Sequence, residues 1–232
     1  MIETWAVIPT RDRPDDLAAC LASLNGQVAG AVVVDNADTP SWPATAELDF
    51  NLIYEHRPGQ PPNLARLYNE GINAAQVAVV GSATAPVAPD KWRFPDWNLV
   101  ELNDDVEIPP GWVRTLEAAL RATGAAAACS DRISRSQPTF YVGQIPAGHH
   151  EMMMGWAHML RGELGLRWDE QFEWWYGDTD LDYRCRLEHG GVVVVPGPHP
   201  VHKHPSQATF QSPVLSRIAH EDEARFAAKW AT

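Results

Sequence analysis

The run AVVVD, residues 31–35, constrains the fold most. Its apolar residues follow one another without polar alternation, and three are valine. A strand with one face in water would alternate. A continuous run suits a strand covered on both faces, as in a parallel sheet between helices. VVVVP (192–196) has the same character. Segments of helical period lie between such runs. RPDDLAACLASLNG puts Pro14 in a first turn, spaces Leu17, Leu21 and Leu24 at i, i+4 and i+7, and stops at Asn25-Gly26. TWAVI (4–8) and NLIY (51–54) read as strands. PPNLARLYNEGINAA (61–75) reads as a helix with Leu64, Leu67, Tyr68, Ile72 and Ala75 on one face.

This order, strand-helix-strand-strand-helix, predicts an α/β fold with a mostly parallel central sheet flanked by helices. Further on, WNLVEL (97–102) predicts a strand and PPGWVRTLEAALRATG (109–124) a helix. AAAAC and TFYVG suit short strands. DTDLDYRCRLEHGG (178–191) predicts a helix with acids in its first turn and glycine after its last. The Pro/Ala-rich segment 81–96 reads as a loop, and Ser212 to Trp230 as a helical tail folding back over the core. No repeat or low-complexity linker divides the chain, so one domain is expected.

Composition narrows the function. Of 232 residues, 45% are hydrophobic and 21% charged, the balance of an ordinary soluble globular protein. No apolar run approaches the ~18 residues of a membrane span. The N-terminal MIETWAVIPTRDRP lacks the basic and apolar regions of a secretory signal. Cys20, Cys129 and Cys185 are scattered and odd in number, which fits reduced thiols and a cytoplasmic location. A net charge of −12 disfavours non-specific nucleic-acid binding. Clustered acids with few nearby lysines suit a bound cation instead.

The chemistry-bearing residues gather at the expected strand ends. WNLVELNDDVEIPPGW carries apolar residues up to an adjacent acidic pair, Asp104 and Asp105. Like charges repel, so a positive partner is expected there; taken alone, the pair reads equally as a solvated acidic turn. Asp35 and Asn36 end the AVVVD strand, where open α/β sheets bind ligands, though an Asp-Asn pair also makes turns. Arg66 and Asn69 lie one helical turn apart, facing either a ligand or solvent. Trp174, Trp175 and Tyr176 read either as an apolar platform for a sugar ring or as a buried aromatic cluster. His202 and His204 alternate, so an extended segment puts both on one face. His149-His150, beside a run of methionines, fits no simple pattern.

Taken in order, VIPTRDRPDDLAACLASL, VVVDN, NLARLYNEGINAA, ELNDDVEIPPGWV and WDEQFEWWYGDTDLDYRCRLEHGG, followed by VVVVPG and VHKH, resemble the family 2-type glycosyltransferases of the GT-A fold. The resemblance spans roughly residues 4–204. It implies a Rossmann-like GT-A domain: about 1–125 binding a nucleotide-sugar, about 126–210 binding the acceptor, and about 211–232 a helical tail. The family's Asp-x-Asp holds Mn²⁺ or Mg²⁺ against the donor diphosphate; here it reads Asn103-Asp104-Asp105, with an amide in place of the first acid. By resemblance Asp105 is the direct metal ligand, and Asp104 contacts the sugar, the ribose or a metal-bound water. A late histidine completes the cation site, His204 first and His202 second; imidazole suits Mn²⁺ better than Mg²⁺. Pro9, Thr10 and Arg11 line the nucleotide pocket, with Arg13 a weaker candidate, and Asp35 and Asn36 meet the base. Arg66 and Asn69 are candidates to face the donor. The late acidic motif supplies the general base of an inverting transfer: Asp178, with Asp180 next. Gly177 stands where the family commonly has glutamate.

The resemblance therefore implies an inverting, metal-dependent transfer of a sugar from a nucleotide-sugar, a UDP-sugar first, to a hydroxyl acceptor. Two alternatives keep the fold: a non-catalytic nucleotide-sugar or carbohydrate-binding protein, and a glycosyltransferase acting on hydroxylated DNA bases. The −12 charge disfavours the nucleic-acid acceptor. A nucleotidyltransferase is disfavoured too, because the loop after the first strand reads PTRDRPDD and is not glycine-rich.

Overall fold

The computed structural model describes residues 2–42, 47–82, 95–204 and 212–231. The chain begins β1 (Glu3–Thr10), α1 (Pro14–Ser23), β2 (Gly30–Asp35), β3 (Asn51–His56), α2 (Leu64–Ser82) and β4 (Trp97–Leu102). It continues β5 (Val106–Glu107), α3 (Trp112–Thr123), β6 (Ala127–Ser130), β7 (Thr139–Tyr141) and β8 (Ala157–Arg161). It closes with α4 (Gly177–Glu188), β9 (Val192–Val195), β10 (Val201–His202) and α5 (Pro213–Lys229). The expected loop at 81–96 is met in part: its first two residues close α2, and 83–94 lie outside the described residues.

Eight strands form one sheet in the order β3-β2-β1-β4-β8-β6-β9-β7. β1, β2, β3 and β4 pair in parallel, as do β6 and β9. β8 runs antiparallel to both β4 and β6, and β7 antiparallel to β9, so the sheet is mixed. Successive side chains on a strand point to opposite faces, and the core divides accordingly. Trp5, Val7, Val32 and Val34 pack with α2 residues such as Tyr68 and Ile72, and with Leu181 and Cys185 of α4. Ala6, Ile8 and Val33 pack with Leu17 and Leu21 of α1 and with Trp112, Leu116 and Leu120 of α3. The valine run of β2 is buried throughout because helices cover it on both sides.

The chain winds from β1 through β2 to β3 on one side, then crosses back to place β4 on the other side of β1. Such a reversal opens a crevice at the carboxyl ends of the two strands. Thr10 closes β1 there, and Asn103, Asp104 and Asp105 follow β4. Among the described residues no helix is long and apolar enough to cross a membrane. Cys20, Cys129 and Cys185 are free and buried.

Candidate active site

Above this crevice lies a cleft of about 1140 Å³. On its β1/β4 side, Thr10 Oγ1 donates to Asp104 Oδ2 at 2.8 Å. Arg13 bridges both acids, with Nη1 at 3.3 Å from Asp104 Oδ1 and 3.2 Å from Asp105 Oδ2. Arg13 is thus the positive partner that lets two carboxylates share a strand end. The pair is unequal. Burial pushes Asp104 up to about 6, against the pull of Arg13 and Thr10. Burial also acts to raise Asp105, but His202 and Arg13 outweigh it and hold that carboxyl below its ordinary value.

His202 reaches Asp105 through a local device. β5, just past the acids, pairs antiparallel with β10, setting His202 opposite Val106. The His202 ring stacks on Trp156 at 4.8 Å between centroids, and its Nε2 stands 3.1 Å from Asp105 Oδ1. That oxygen is buried and accepts no well-formed hydrogen bond among the described residues. A buried carboxylate oxygen beside an imidazole nitrogen could hold a divalent cation that takes its other ligands from a phosphate and water. Among the described residues no cage of three or more His, Cys, Asp or Glu gathers. His204 lines the cleft but pairs elsewhere, its Nε2 3.4 Å from Asp16 Oδ2.

The late motif forms the opposite wall. Asp178 sits in the first turn of α4 and lines the cleft. Its Oδ1 accepts the Thr179 N–H at 2.8 Å, while Oδ2 carries no hydrogen bond among the described residues. Gly155 lies against that carboxylate: a Cβ there would come within 2.5 Å of Asp178 Cγ. Gly177 is equally confined, since a Cβ would meet the Trp168 ring at 2.7 and 2.9 Å. Trp168 lines the cleft, stacks on Tyr68 at 4.6 Å, and donates Nε1 at 3.0 Å to the oxygens of buried Glu101. Glutamate at 177 is incompatible with this seat for Trp168.

Other expected residues are placed differently. Pro9, Arg11 and Asn36 line the cleft together with Thr10 and Asp104. Asp35 does not: it is fully buried, accepting the N–H of Ala37 at 2.8 Å and of Ser41 at 2.6 Å, and the Tyr54 hydroxyl. It folds the loop after β2, and Asn36 is left to face the ligand side. Arg66 and Asn69 do not face the cleft. Arg66 donates to the Pro61 carbonyl at 2.8 Å and lies 3.8 Å from Glu70. Asn69 exchanges hydrogen bonds with the Trp168 backbone at 2.9 and 3.0 Å and donates to Glu170, so it pins the Trp168 segment to α2. Asn63, Leu64 and Leu67 line the cleft from that helix's start instead. Asp180 is also turned away: fully buried, it meets Arg184 at 2.8 Å, Lys229 at 2.7 Å and Trp230 Nε1 at 3.0 Å. It ties α4 to α5. Asp182, one helical turn from Asp178, is likewise buried and holds Arg186 at 2.6 Å and the Met153 N–H at 3.1 Å.

Sequence reasoning passed over Asp222. This buried carboxylate on α5 accepts three successive backbone N–H groups, Glu173 at 3.2 Å, Trp174 at 2.8 Å and Trp175 at 2.9 Å. It fixes the aromatic segment leading into Asp178. Tyr176, the residue between, holds a left-handed φ of 65° and stacks on Phe226 of α5. No local pattern announces Asp222. Gly155 did carry a signal, a lone glycine between bulky Met154 and Trp156.

Comparison with solved structures defines the architecture. The 1–349 fragment of S. aureus TarS superposes with a TM-score of 0.59 at 10% identity, covering 94% of this chain. The fold is that of the GT-A glycosyltransferases. The same TarS fragment in complex with UDP gives 0.60 at 10% identity over 86% of this chain, and GalNAc-T7 with UDP, GalNAc and Mn²⁺ gives 0.60 at 13% over 87%. This GT-A chain spans 65% of the TarS fragment and 44% of GalNAc-T7. No protein-family model and no curated sequence relative matches it.

Proposed function

We propose that the chain is an inverting, metal-dependent glycosyltransferase of the family 2 type, moving a sugar from a UDP-sugar to a hydroxyl acceptor. The observation that carries this reading is the Asp105–His202 pair at 3.1 Å, with a buried carboxylate oxygen that has no well-formed hydrogen bond among the described residues. It lies at the switch point of a GT-A sheet, across the cleft from Asp178. The TarS and GalNAc-T7 structures with UDP support the choice of donor, and the latter's Mn²⁺ supports that of metal.

Asp105 and His202 would hold the cation, which stabilises the negative charge of the departing diphosphate. Thr10 and Arg13 fix Asp104 beside it, and Asn36 and Pro9 line the nucleotide end. Asp178 takes the proton of the acceptor hydroxyl as its oxygen attacks the anomeric carbon. The new glycosidic C–O bond forms on the face opposite the breaking bond to the diphosphate, so the anomeric centre inverts. UDP leaves with the electron pair of the broken bond. Excluding water by the aromatic wall of Trp156, Trp174 and Trp175 favours transfer over donor hydrolysis.

Calorimetric binding of UDP and GDP, with and without Mn²⁺, tests the donor half. Mn²⁺-dependent binding of UDP is expected in the wild type and its loss in Asp105→Ala. His202→Ala should behave like Asp105→Ala and His204→Ala like the wild type. No nucleotide binding under any metal condition would overturn the reading. A second reading, a non-catalytic nucleotide-sugar-binding protein, draws on Asn103, whose side-chain oxygen accepts from Tyr68 at 3.2 Å in place of the family's first acid. Mn²⁺-dependent donor binding without release of UDP over a panel of hydroxyl acceptors would favour it.

A further inference from the structure

Among the described residues three arginines line the cleft, Arg11, Arg13 and Arg132. Arg11 lies 3.5 Å from Asp12, and Arg13 bridges Asp104 and Asp105. Arg132 makes no ion pair among the described residues, although two buried acids stand near it. Its sequence neighbour Asp131 is taken by Arg135, and Asp182 is taken by Arg186 at 2.6 Å. Both of these acids are held by another arginine, and Arg132 forms no ion pair with either in a chain of net charge −12. The guanidinium is nevertheless held in place. Nη2 donates to the Met153 carbonyl at 3.2 Å, and Nη1 lies 2.9 and 3.1 Å from the ring nitrogens of His149. Its Nε is buried with no hydrogen-bond partner among the described residues. A half-buried, oriented and unneutralised guanidinium is the usual receptor for a carboxylate or phosphate.

Its position says which part of a substrate it would meet. Arg132 follows β6, and β8 separates β6 from β4 in the sheet. At about 4.8 Å per strand, Arg132 stands roughly 10 Å along the sheet from the Asp104–Asp105 strand. That is away from β1 and β2, where the nucleotide end lies, and on the side of Met153, whose N–H is bound by Asp182 of α4, the helix that carries Asp178. We propose that Arg132, steadied by His149, forms an anion-binding subsite for a phosphate or carboxylate carried by the acceptor or by the transferred sugar. This rests on the glycosyltransferase reading for its naming of acceptor and sugar, and not for the anion itself.

The test uses the intact chain, wild type, Arg132→Met and Arg132→Lys, with melting curves to establish that each is folded. Glycerol 1-phosphate and glycerol are titrated calorimetrically, with and without saturating UDP and Mn²⁺. The phosphate ester should bind the wild type at least about tenfold more tightly than Arg132→Met, the smaller end of what a charged hydrogen bond contributes. Arg132→Lys should fall between, because it keeps the charge and loses the planar fork. Glycerol should not distinguish the three. The affinity ratio of UDP-glucuronate to UDP-glucose separates the two sources of the anion. A ratio that drops in Arg132→Met assigns the anion to the transferred sugar. An unchanged ratio, with the phosphate-ester effect present, assigns it to the acceptor. UDP itself should bind wild type and Arg132→Met alike. If phosphate-ester affinity and the donor ratio are both unchanged in folded Arg132→Met, or if UDP affinity falls with it, the subsite is refuted. If the wild type binds no UDP while ester binding still depends on Arg132, the glycosyltransferase reading fails and the anion site stands.

Discussion

Gly155→Ala is expected to cut turnover about 100-fold while leaving the chain folded. A methyl group at this position would lie 2.5 Å from Asp178 Cγ and 2.8 Å from its Cβ. Carbon atoms in ordinary contact stand ~3.5–4.0 Å apart, so the carboxylate must withdraw by about 1 Å or more. A misplacement of that size in a reacting group costs on the order of 100-fold in rate. The cost to folding is much smaller. The Asp178 carboxylate borders an open cleft and can rotate into it at roughly 0.5–1.5 kcal/mol for an off-rotamer side chain, and the 2.8 Å contact with its Cβ is relieved by a small backbone shift of the Gly155 segment. For a chain of this size that lowers the melting temperature by only a few degrees, about 2–4 °C per kcal/mol. Initial rates of UDP release from a UDP-sugar, at saturating donor and in the presence of acceptor, give kcat; calorimetric UDP binding serves as the control. The expected pattern is a large loss of kcat with unchanged UDP affinity. A folded variant with kcat within about threefold of the wild type would refute the argument that Gly155 sets the position of the base.

Two further predictions concern stability. Asp222→Ala removes the acceptor for three successive N–H groups and the 2.7 Å partner of Arg225. Urea unfolding should show a loss of about 2–4 kcal/mol, since each charged hydrogen bond contributes ~1.5–3 and water recovers part of it; a change under about 0.5 kcal/mol would remove Asp222 as the anchor of the aromatic segment. Glu163 binds Arg121 at 2.6 Å and Arg161 at 2.8 Å. Burial acts to raise its pKa, but these two arginines prevail and hold it below 4.5. A depressed carboxylate contributes stability above its unfolded pKa and loses it as pH falls through the folded value. Melting of the wild type and Glu163→Gln should therefore differ most above about pH 5 and converge in acid; a gap that persists at the lowest pH would refute the ion-pair account.

The first half of the fold was legible because its signals are local. The valine run of β2, the leucine spacing of α1 and the apolar face of α2 each state their own element, and their succession predicts a mostly parallel sheet, as the β3-β2-β1-β4 part is. In the second half β4, α3, β6, β7, α4, β9 and α5 were legible in the same way, but β5, β8 and β10 were not. β8 is AHMLR, five residues with a histidine and an arginine and no strand-like alternation. It exists because β4 and β6 both need a partner between them, which is a tertiary demand that no window of sequence contains. The short β5–β10 ladder has the same origin, and with it the choice of His202 over His204 for the place beside Asp105. Alternate spacing puts both rings on one side of an extended segment, but only the pairing with β5 decides which one meets the acid and which is left to Asp16.

The acids teach the same lesson in the opposite direction. Asp35 and Asp180 looked as functional as Asp105 and Asp178, since sequence reports a charge but not what neutralises it. Asp180 and Asp182 are matched by arginines one helical turn on, and Asp35 by the backbone of its own loop. Among the described residues, an oxygen of Asp105, an oxygen of Asp178 and the guanidinium of Arg132 remain after those matches are made, and they are the groups proposed above to meet substrate and metal. The Gly177 departure belongs to this logic too. Read as a motif, a glycine in place of glutamate weakens the resemblance. In the fold it is the complement of Trp168, whose ring occupies the space a Cβ would need and is fixed there by Glu101 and Tyr68. Where the resembled motif carries an acidic side chain before its aspartate, this chain sets the Trp168 ring against Gly177. Restoring a side chain at position 177 alone would therefore displace Trp168 from the cleft before it could restore any function of the glutamate.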